Sequence, residues 1–256
     1  MSIRPYRSRM CTMGQASPTW LHEFICKALE SLLESVEINS IMDVGCGTGK
    51  HSGLLKEKYQ NITFKGLDFS EATYNFLQNS KIFDEVFLGY SNILPLQDKC
   101  VDLALSMENL EHLFEENVFN AMIELKRISK SIIITTPNAT GVIDLKWLND
   151  EIPQAENDNI ELSKYDYNCL SSAVHKSTIF PKSLIYCGFK QISKVHHNHS
   201  IFYGISDEIN LKKLEYLGIK ESELLDTNNY KDKYVDLLYK SRNLFEKIKK
   251  HDLYNK

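Results

Sequence analysis

The stretch IMDVGCGTGKH, Ile41 to His51, sets Gly45, Gly47 and Gly49 at alternate positions directly after a short apolar run. Glycine at that density suits a backbone that turns tightly and lets another group approach it closely. A glycine-rich turn between a first strand and a first helix presents backbone N–H groups, and a helix N-terminus favours anionic groups. The dinucleotide fingerprint G-x-G-x-x-G would require glycine at position 50, where Lys50 stands. Lys50-His51 is also not the Lys-Ser/Thr pair of a phosphate-binding loop. The spacing is instead D-x-G-x-G-x-G, from Asp43 to Gly49.

Outward from this turn, short apolar runs alternate with helical segments. The pattern predicts strands over 40–44, 62–67, 85–88, 101–106 and 131–135, and helices over 49–59, 71–78 and 117–128. Such alternation indicates crossover units and a mainly parallel sheet covered on both faces. Two further strands, 189–195 and 200–206, are joined by the tight HHNH connection and are expected to be antiparallel. Of its histidines only His197 and His199 could converge, since neighbouring side chains on a strand point to opposite faces, so a solvated hairpin is expected there. Upstream, Ser17-Pro18 suits the start of a helix. Leu21, Phe24, Ile25, Ala28, Leu29 and Leu32 then mark one apolar face. The expected organisation is a helical cap over 1–37, a core over 38–206 with a substrate insertion at about 139–180, and a helical extension over 207–256. Trp147, Tyr165 and Tyr167 punctuate the insertion and are candidates to line a substrate cavity. A stripe including Tyr234, Leu237 and Phe245 in the extension packs on its own domain or forms a homodimer contact.

The chain has 256 residues, 43% of them hydrophobic, enough for a substantial core, and no apolar run long enough to span a membrane. Its basic N-terminus lacks the apolar stretch of a secretory signal. Six scattered cysteines without a C-x-x-C pair suggest neither a disulfide framework nor a cysteine metal site, and point to a reduced, cytoplasmic protein. A net charge of −4 argues against a general nucleic-acid binder.

In the order of its motifs, from about Ile41 to Ser206, the chain resembles the class I S-adenosylmethionine-dependent methyltransferases. Asp43-Val-Gly45-Cys46-Gly47-Thr-Gly49 is similar to the first motif of that family. The resemblance implies a Rossmann-like, doubly wound α/β fold with an antiparallel final strand. It also implies that this turn meets the methionine end of S-adenosylmethionine while Asp43 serves its ammonium side. Asp68, nineteen residues past Gly49 in GLDFS, would accept both ribose hydroxyls, and Phe69 would pack against adenine. The family often shows Gly-Asp-Ala-x-x-Leu-Pro after the third strand, its aspartate reaching the adenine amino group. Here the string is Gly89-Tyr90-Ser91-Asn92-Ile93-Leu94-Pro95, so adenine contacts would fall to backbone or to Ser91 and Asn92. Met107 completes the candidate cofactor residues.

A methyl group on a sulfonium needs no activation, but a hydroxyl acceptor must be aligned and lose its proton. SMENLEHL, Ser106 to Leu113, stands where such groups are needed, at the end of the fourth strand. A helical end to this segment would put Glu108, Glu111 and His112 on one face, as a general base or as ligands for a divalent ion such as Mg²⁺. The E-x-x-E-H string resembles two branches of the family, the ubiquinone-biosynthesis type of O-methyltransferase and the small-RNA 3′-terminal 2′-O-methyltransferases. In the latter a later histidine completes a metal site on the terminal ribose, and His175 lies at a similar place. The Asn/Asp-Pro-Pro-Tyr string of amine and amide methylation is absent after the fourth strand, which favours oxygen as acceptor. The expected function is O-methylation of a small-molecule hydroxyl, with Glu108 and His112 as candidate catalytic residues. Alternatives are metal-dependent 2′-O-methylation of an RNA 3′ end, and a non-catalytic binding protein that retains the cofactor fold.

Overall fold

A computed structural model describes residues 19–113, 115–137, 177–179, 181–195, 199–213 and 219–221. The expectations for residues 1–18, Trp147, Tyr165, Tyr167, His175, His196, His197 and the stripe from Tyr234 onward lie outside the described residues. Helix α1 (Thr19–Ser35) precedes strand β1 (Ser40–Val44), α2 (Lys50–Lys58), β2 (Thr63–Asp68), α3 (Glu71–Ser80) and β3 (Glu85–Leu88). Strand β4 (Val101–Met107), α4 (Glu115–Ile128) and β5 (Ser129–Pro137) continue the alternation. Then come β6 (Ser177–Ile179), α5 (Pro181–Cys187), β7 (Lys190–Val195), β8 (His199–Ile205) and β9 (Ile219–Glu221).

Seven strands form one sheet in the order β3-β2-β1-β4-β5-β8-β7. Strands β1 to β5 pair in parallel, and β8 runs antiparallel to both β5 and β7. This is the doubly wound, Rossmann-like arrangement with an antiparallel strand that the sequence predicts. The strand order reverses between β1 and β4, which opens a crevice at their carboxyl ends.

Alternating side chains feed two cores. Met42, Ala104, Ile132 and Ile134 pack with Val118, Met122 and Leu125 of α4 and Leu184 of α5. Ile41, Leu103, Leu105 and Ile133 pack on the other face with Ile25 and Leu29 of α1, Leu55 of α2 and Leu77 of α3. Burial on both faces explains why these strands read as continuous apolar runs. The apolar face of α1 thus lies on the sheet itself. No helix among the described residues is long and apolar enough to cross a membrane.

Two elements depart from expectation. Strand β6 falls inside the expected insertion, helix α5 follows it where the sequence reading assigns no element, and β6 pairs antiparallel with β9, inside the stretch expected to be helical. Ile179 of β6 is buried in the core, and Ser177 Oγ donates to the Leu110 carbonyl at 3.3 Å. The bounds of α5 have a local signal, Pro181 at its first position and Gly188, with φ 110°, just beyond its end.

At the opposite edge from the crevice, Asp102 ties three strands together. Its Oδ2 accepts from the backbone N–H groups of Asn39 and Ser40 at 2.9 and 3.1 Å and from Ser40 Oγ at 3.1 Å. Its Oδ1 accepts from Lys130 at the start of β5 at 2.7 Å. Burial alone would push this carboxyl up, but the bonds from Lys130, Asn39 and Ser40 outweigh it and hold it below its ordinary value. The stability they contribute is therefore present near neutrality and lost as pH falls through the folded-state value. Asp102→Ala is expected to destabilise the fold by about 2–3 kcal/mol in denaturant unfolding at neutral pH, since hydrogen bonds to charged groups are the stronger class.

Candidate active site

The crevice begins where β1 ends. The chain leaves Val44 through Gly45, Gly47 and Gly49, with φ of 74°, 52° and 73°, and enters α2. At Gly45 the demand for glycine is double. The left-handed backbone disfavours any Cβ, and a Cβ there would overlap the carboxamide of Asn109. The donors of the turn are engaged within the protein. Gly45 N and Cys46 N both donate to the Leu67 carbonyl, at 2.8 and 3.0 Å, and Gly49 N donates to Cys46 O at 2.9 Å. Gly47 N donates to Asp68 Oδ2 at 3.0 Å. At these four positions the N–H groups are engaged: β2 and its terminal carboxylate take three, and the Cys46 carbonyl within the turn takes that of Gly49.

The charge beneath the turn is negative. Asp43 is buried; its Oδ2 accepts from Ser52 Oγ at 2.6 Å, and its Oδ1 has no hydrogen-bond partner among the described residues. Burial pushes its carboxyl from an ordinary 3.8 up to about 7, against the lowering bond from Ser52 and with a further raise from the charge of Asp68. Asp68, also buried, accepts Ser70 N on Oδ1 at 2.9 Å as well as Gly47 N on Oδ2. Burial nevertheless raises its carboxyl above the ordinary value despite the backbone bonds from Ser70, Gly47 and Phe69. Cys46 is half-buried with its Sγ 3.7 Å from the Gly47 carbonyl. Burial, then the charges of Asp43 and Asp68, hold its thiol well above the usual range.

The ends of β3 and β4 complete the crevice. Phe69 follows Asp68, and its ring lies 6.4 Å from that of Tyr90. Ser91 is buried and accepts from Asn109 Nδ2 at 3.3 Å, and the same nitrogen donates to Ser106 Oγ at 3.1 Å. Asn92 donates to Asn117 Oδ1 of α4 at 2.9 Å. Met107 is buried in the core against the sheet face that carries α1.

Beyond Met107 the helical geometry expected for E-x-x-E-H is not formed. Glu108 takes a left-handed conformation, φ 49°, with its N–H on Thr135 Oγ1 at 3.0 Å, and only Leu110–His112 make a short 3-10 turn. Glu108 and Glu111 are neighbours all the same. Burial, and then the Glu108 charge beside it, push the Glu111 carboxyl well above its ordinary value. His112 is half-buried at the end of the turn. Among the described residues no three His, Cys, Asp or Glu side chains are grouped to hold a metal ion, so Glu108, Glu111 and His112 do not make the expected set by themselves; His175 lies outside those residues. The positive φ of Glu108 removes the single helical face on which that expectation rested. Sequence reasoning missed Asn109, Ser52 and Thr135. Ser52, a polar residue at a buried position of α2, carried the clearest signal.

Neither Asp43, Asp68 nor Glu111 forms an ion pair with Lys or Arg among the described residues. Two buried acids, Asp43 with an orphaned oxygen and Asp68, beside a turn whose N–H groups at Gly45, Cys46, Gly47 and Gly49 are taken, suit a ligand that brings positive charge and hydroxyl donors. S-adenosylmethionine, with an ammonium, a sulfonium and a ribose diol, fits that donor set; a dinucleotide pyrophosphate does not. The raised acids also set a pH dependence. The folded-state value of Asp43 lies above its unfolded value, so the unfolded chain ionises first and stability falls as pH rises from about 4 to about 7. The ligand-free protein is expected to melt at a higher temperature near pH 5.5 than near pH 8, and Asp43→Asn to flatten that slope in thermal denaturation.

Residues 42–132 match the family model described as a methyltransferase domain. Over 90 residues, 35% of this chain and 34% of the other, the sequence is 32% identical to the malonyl-[acyl-carrier protein] O-methyltransferase of Pectobacterium atrosepticum. Over 101 residues, 38% of each, it is 27% identical to a probable S-adenosylmethionine-dependent methyltransferase of Mycolicibacterium smegmatis. The chain thus spans little more than a third of the length of these curated relatives. A solved protein from Pyrococcus horikoshii OT3 is 17% identical, with 74% of this chain and 92% of that one covered at a TM-score of 0.48. Residues 42–132 thus match a methyltransferase domain in sequence, and they carry the glycine turn and its acids at the reversal of strand order.

Proposed function

We propose that the chain methylates a hydroxyl of a small molecule with S-adenosylmethionine as donor. The observation that carries the cofactor half is Asp43, a buried carboxyl with an unmatched oxygen beside a glycine turn whose N–H groups at Gly45, Cys46, Gly47 and Gly49 are taken. Oxygen as acceptor is supported by the segment after β4, which reads Ser106-Met107-Glu108-Asn109 and lacks the string used for amines and amides. It is also supported by the relative from Pectobacterium atrosepticum, an O-methyltransferase by name.

In this proposal Asp43 neutralises the ammonium, the Gly45–Gly47 turn lies along the methionyl chain, and Asp68 accepts the ribose hydroxyls. When bound, S-adenosylmethionine supplies a methyl group on a sulfonium that departs as a neutral thioether. The chain's own work is then orientation and removal of one proton. His112, at the end of the 3-10 turn, accepts the acceptor hydroxyl's proton on an imidazole nitrogen. Thr135 holds Glu108 in its left-handed conformation and so sets where the turn begins.

The direct test is transfer of labelled methyl from the cofactor into cell extracts separated into metabolite, RNA and protein fractions; label in the metabolite fraction is expected, and label confined to RNA or protein overturns the small-molecule assignment. Asp68→Ala should weaken S-adenosylhomocysteine binding about tenfold or more in calorimetry, because charge-assisted hydrogen bonds are lost. Melting curves recorded alongside separate that loss from loosening of Gly47. Methyl transfer should survive a chelator, and His112→Ala should flatten the acidic limb of the pH–rate profile. A rate abolished by chelation and restored by Mg²⁺ would return the metal to the mechanism.

A further inference from the structure

Given the role of base proposed for His112, we infer that Asn109 is a positioning residue for methyl transfer: its side chain spaces the turn carrying His112 from the glycine turn. Asn109 is the N-cap of the 3-10 turn Leu110–His112, where an asparagine side chain ordinarily accepts from the first free N–H groups. Here it makes no such bond, and the turn closes through the backbone, His112 N donating to the Asn109 carbonyl at 3.0 Å. The side chain reaches into the crevice instead. Its Nδ2 donates to Ser106 Oγ at 3.1 Å and to Ser91 Oγ at 3.3 Å. Its carboxamide lies so close to Gly45 that a Cβ there would overlap Cγ and Oδ1. One side chain thus touches the chain just past β1, just past β3 and within β4.

The glycine turn has anchors of its own. Gly45 N and Cys46 N are held by the Leu67 carbonyl, and Gly47 N by Asp68 Oδ2. The turn carrying His112 is tied to other strands, Glu108 N to Thr135 Oγ1 of β5 and the Leu110 carbonyl to Ser177 Oγ of β6. Its tie to the glycine turn runs through Asn109. The carboxamide is itself fixed, because Ser106 is fully buried and Ser91 nearly so. Both partners are hydroxyls, which donate or accept, so the bridge holds whichever way the amide faces. Alanine at position 109 is too short to reach either serine. Spacing matters at this scale, since a displacement of about 1 Å slows a reaction by about a hundredfold.

Transfer of labelled methyl from saturating S-adenosylmethionine into cell extract, beside calorimetry with S-adenosylhomocysteine, tests this on the full chain. Asn109→Ala should slow transfer by about tenfold to a hundredfold. Its affinity for S-adenosylhomocysteine should stay within about threefold of the wild type, because the glycine turn keeps its own anchors. The acidic limb of its pH–rate profile should stay at the wild-type pH, since the base is displaced rather than changed. Ser106→Ala, at a position too buried to meet a ligand, should slow transfer by about threefold to tenfold with affinity unchanged. The double variant should be no slower than Asn109→Ala alone, because both changes break one bridge. A rate that Asn109→Ala leaves unchanged, or a rate and an affinity that fall by the same factor, overturns the positioning role. If Asn109→Ala does not fold, Ser106→Ala decides, and an unchanged rate there overturns the role. No label transferred by the wild type overturns methyl transfer itself, and an acidic limb that His112→Ala leaves in place overturns the base; the positioning role falls with either.

Discussion

The carbonyl of Leu67 is the point on which the crevice is built. By accepting from both Gly45 and Cys46 it fixes the glycine turn to the end of β2 rather than leaving it as a loose connection. The same alignment brings Asp68 Oδ2 to Gly47 N, so the residue after Leu67 closes the turn that Leu67 opens. With the turn fixed, α2 starts at Lys50 and presents Ser52 to Asp43. Glycine is required because the path between these anchors runs through left-handed backbone, and at Gly45 also because Asn109 packs directly against it.

Electrostatics separates this turn from its phosphate-binding relatives. A turn that binds phosphate leaves its N–H groups pointing at the ligand. Here four of them are consumed, and the groups that remain are carboxyls in a buried setting. Carboxyls buried without cations are harder to ionise, as the upward shifts of Asp43, Asp68 and Glu111 express. A cationic ligand removes that penalty, which makes ligand selection by charge a property of the fold as much as of individual contacts.

Much of this was legible in the sequence for a plain reason. Strands buried on both faces leave unbroken apolar runs, and the helices between them carry the 3.6-residue period. Asp43, the glycines and Asp68 stand out because their spacing is fixed by one strand, one turn and the next strand. Less legible was whatever depends on distant partners. The left-handed Glu108 is held by Thr135 on a neighbouring strand, and no local pattern announces a glutamate at positive φ. For the same reason nothing in the sequence singles out Asn109, although it bonds Ser91 and Ser106 and packs on Gly45. Strand β6 was hidden because its partner β9 lies far along the chain, and α5 because its seven residues give periodicity little room.

Cys46, in the middle of the glycine turn, has a chemical consequence of its own. Sulfur is the softest nucleophile a protein carries, yet it reacts as thiolate and hardly at all as thiol. Burial and the adjoining acids keep this sulfur protonated. A cysteine can therefore stand against the proposed alkyl donor without being alkylated by it, and it resists peroxide and maleimide reagents for the same reason. The acids that attract the electrophile also silence the nucleophile beside it, which protects the protein from modifying itself.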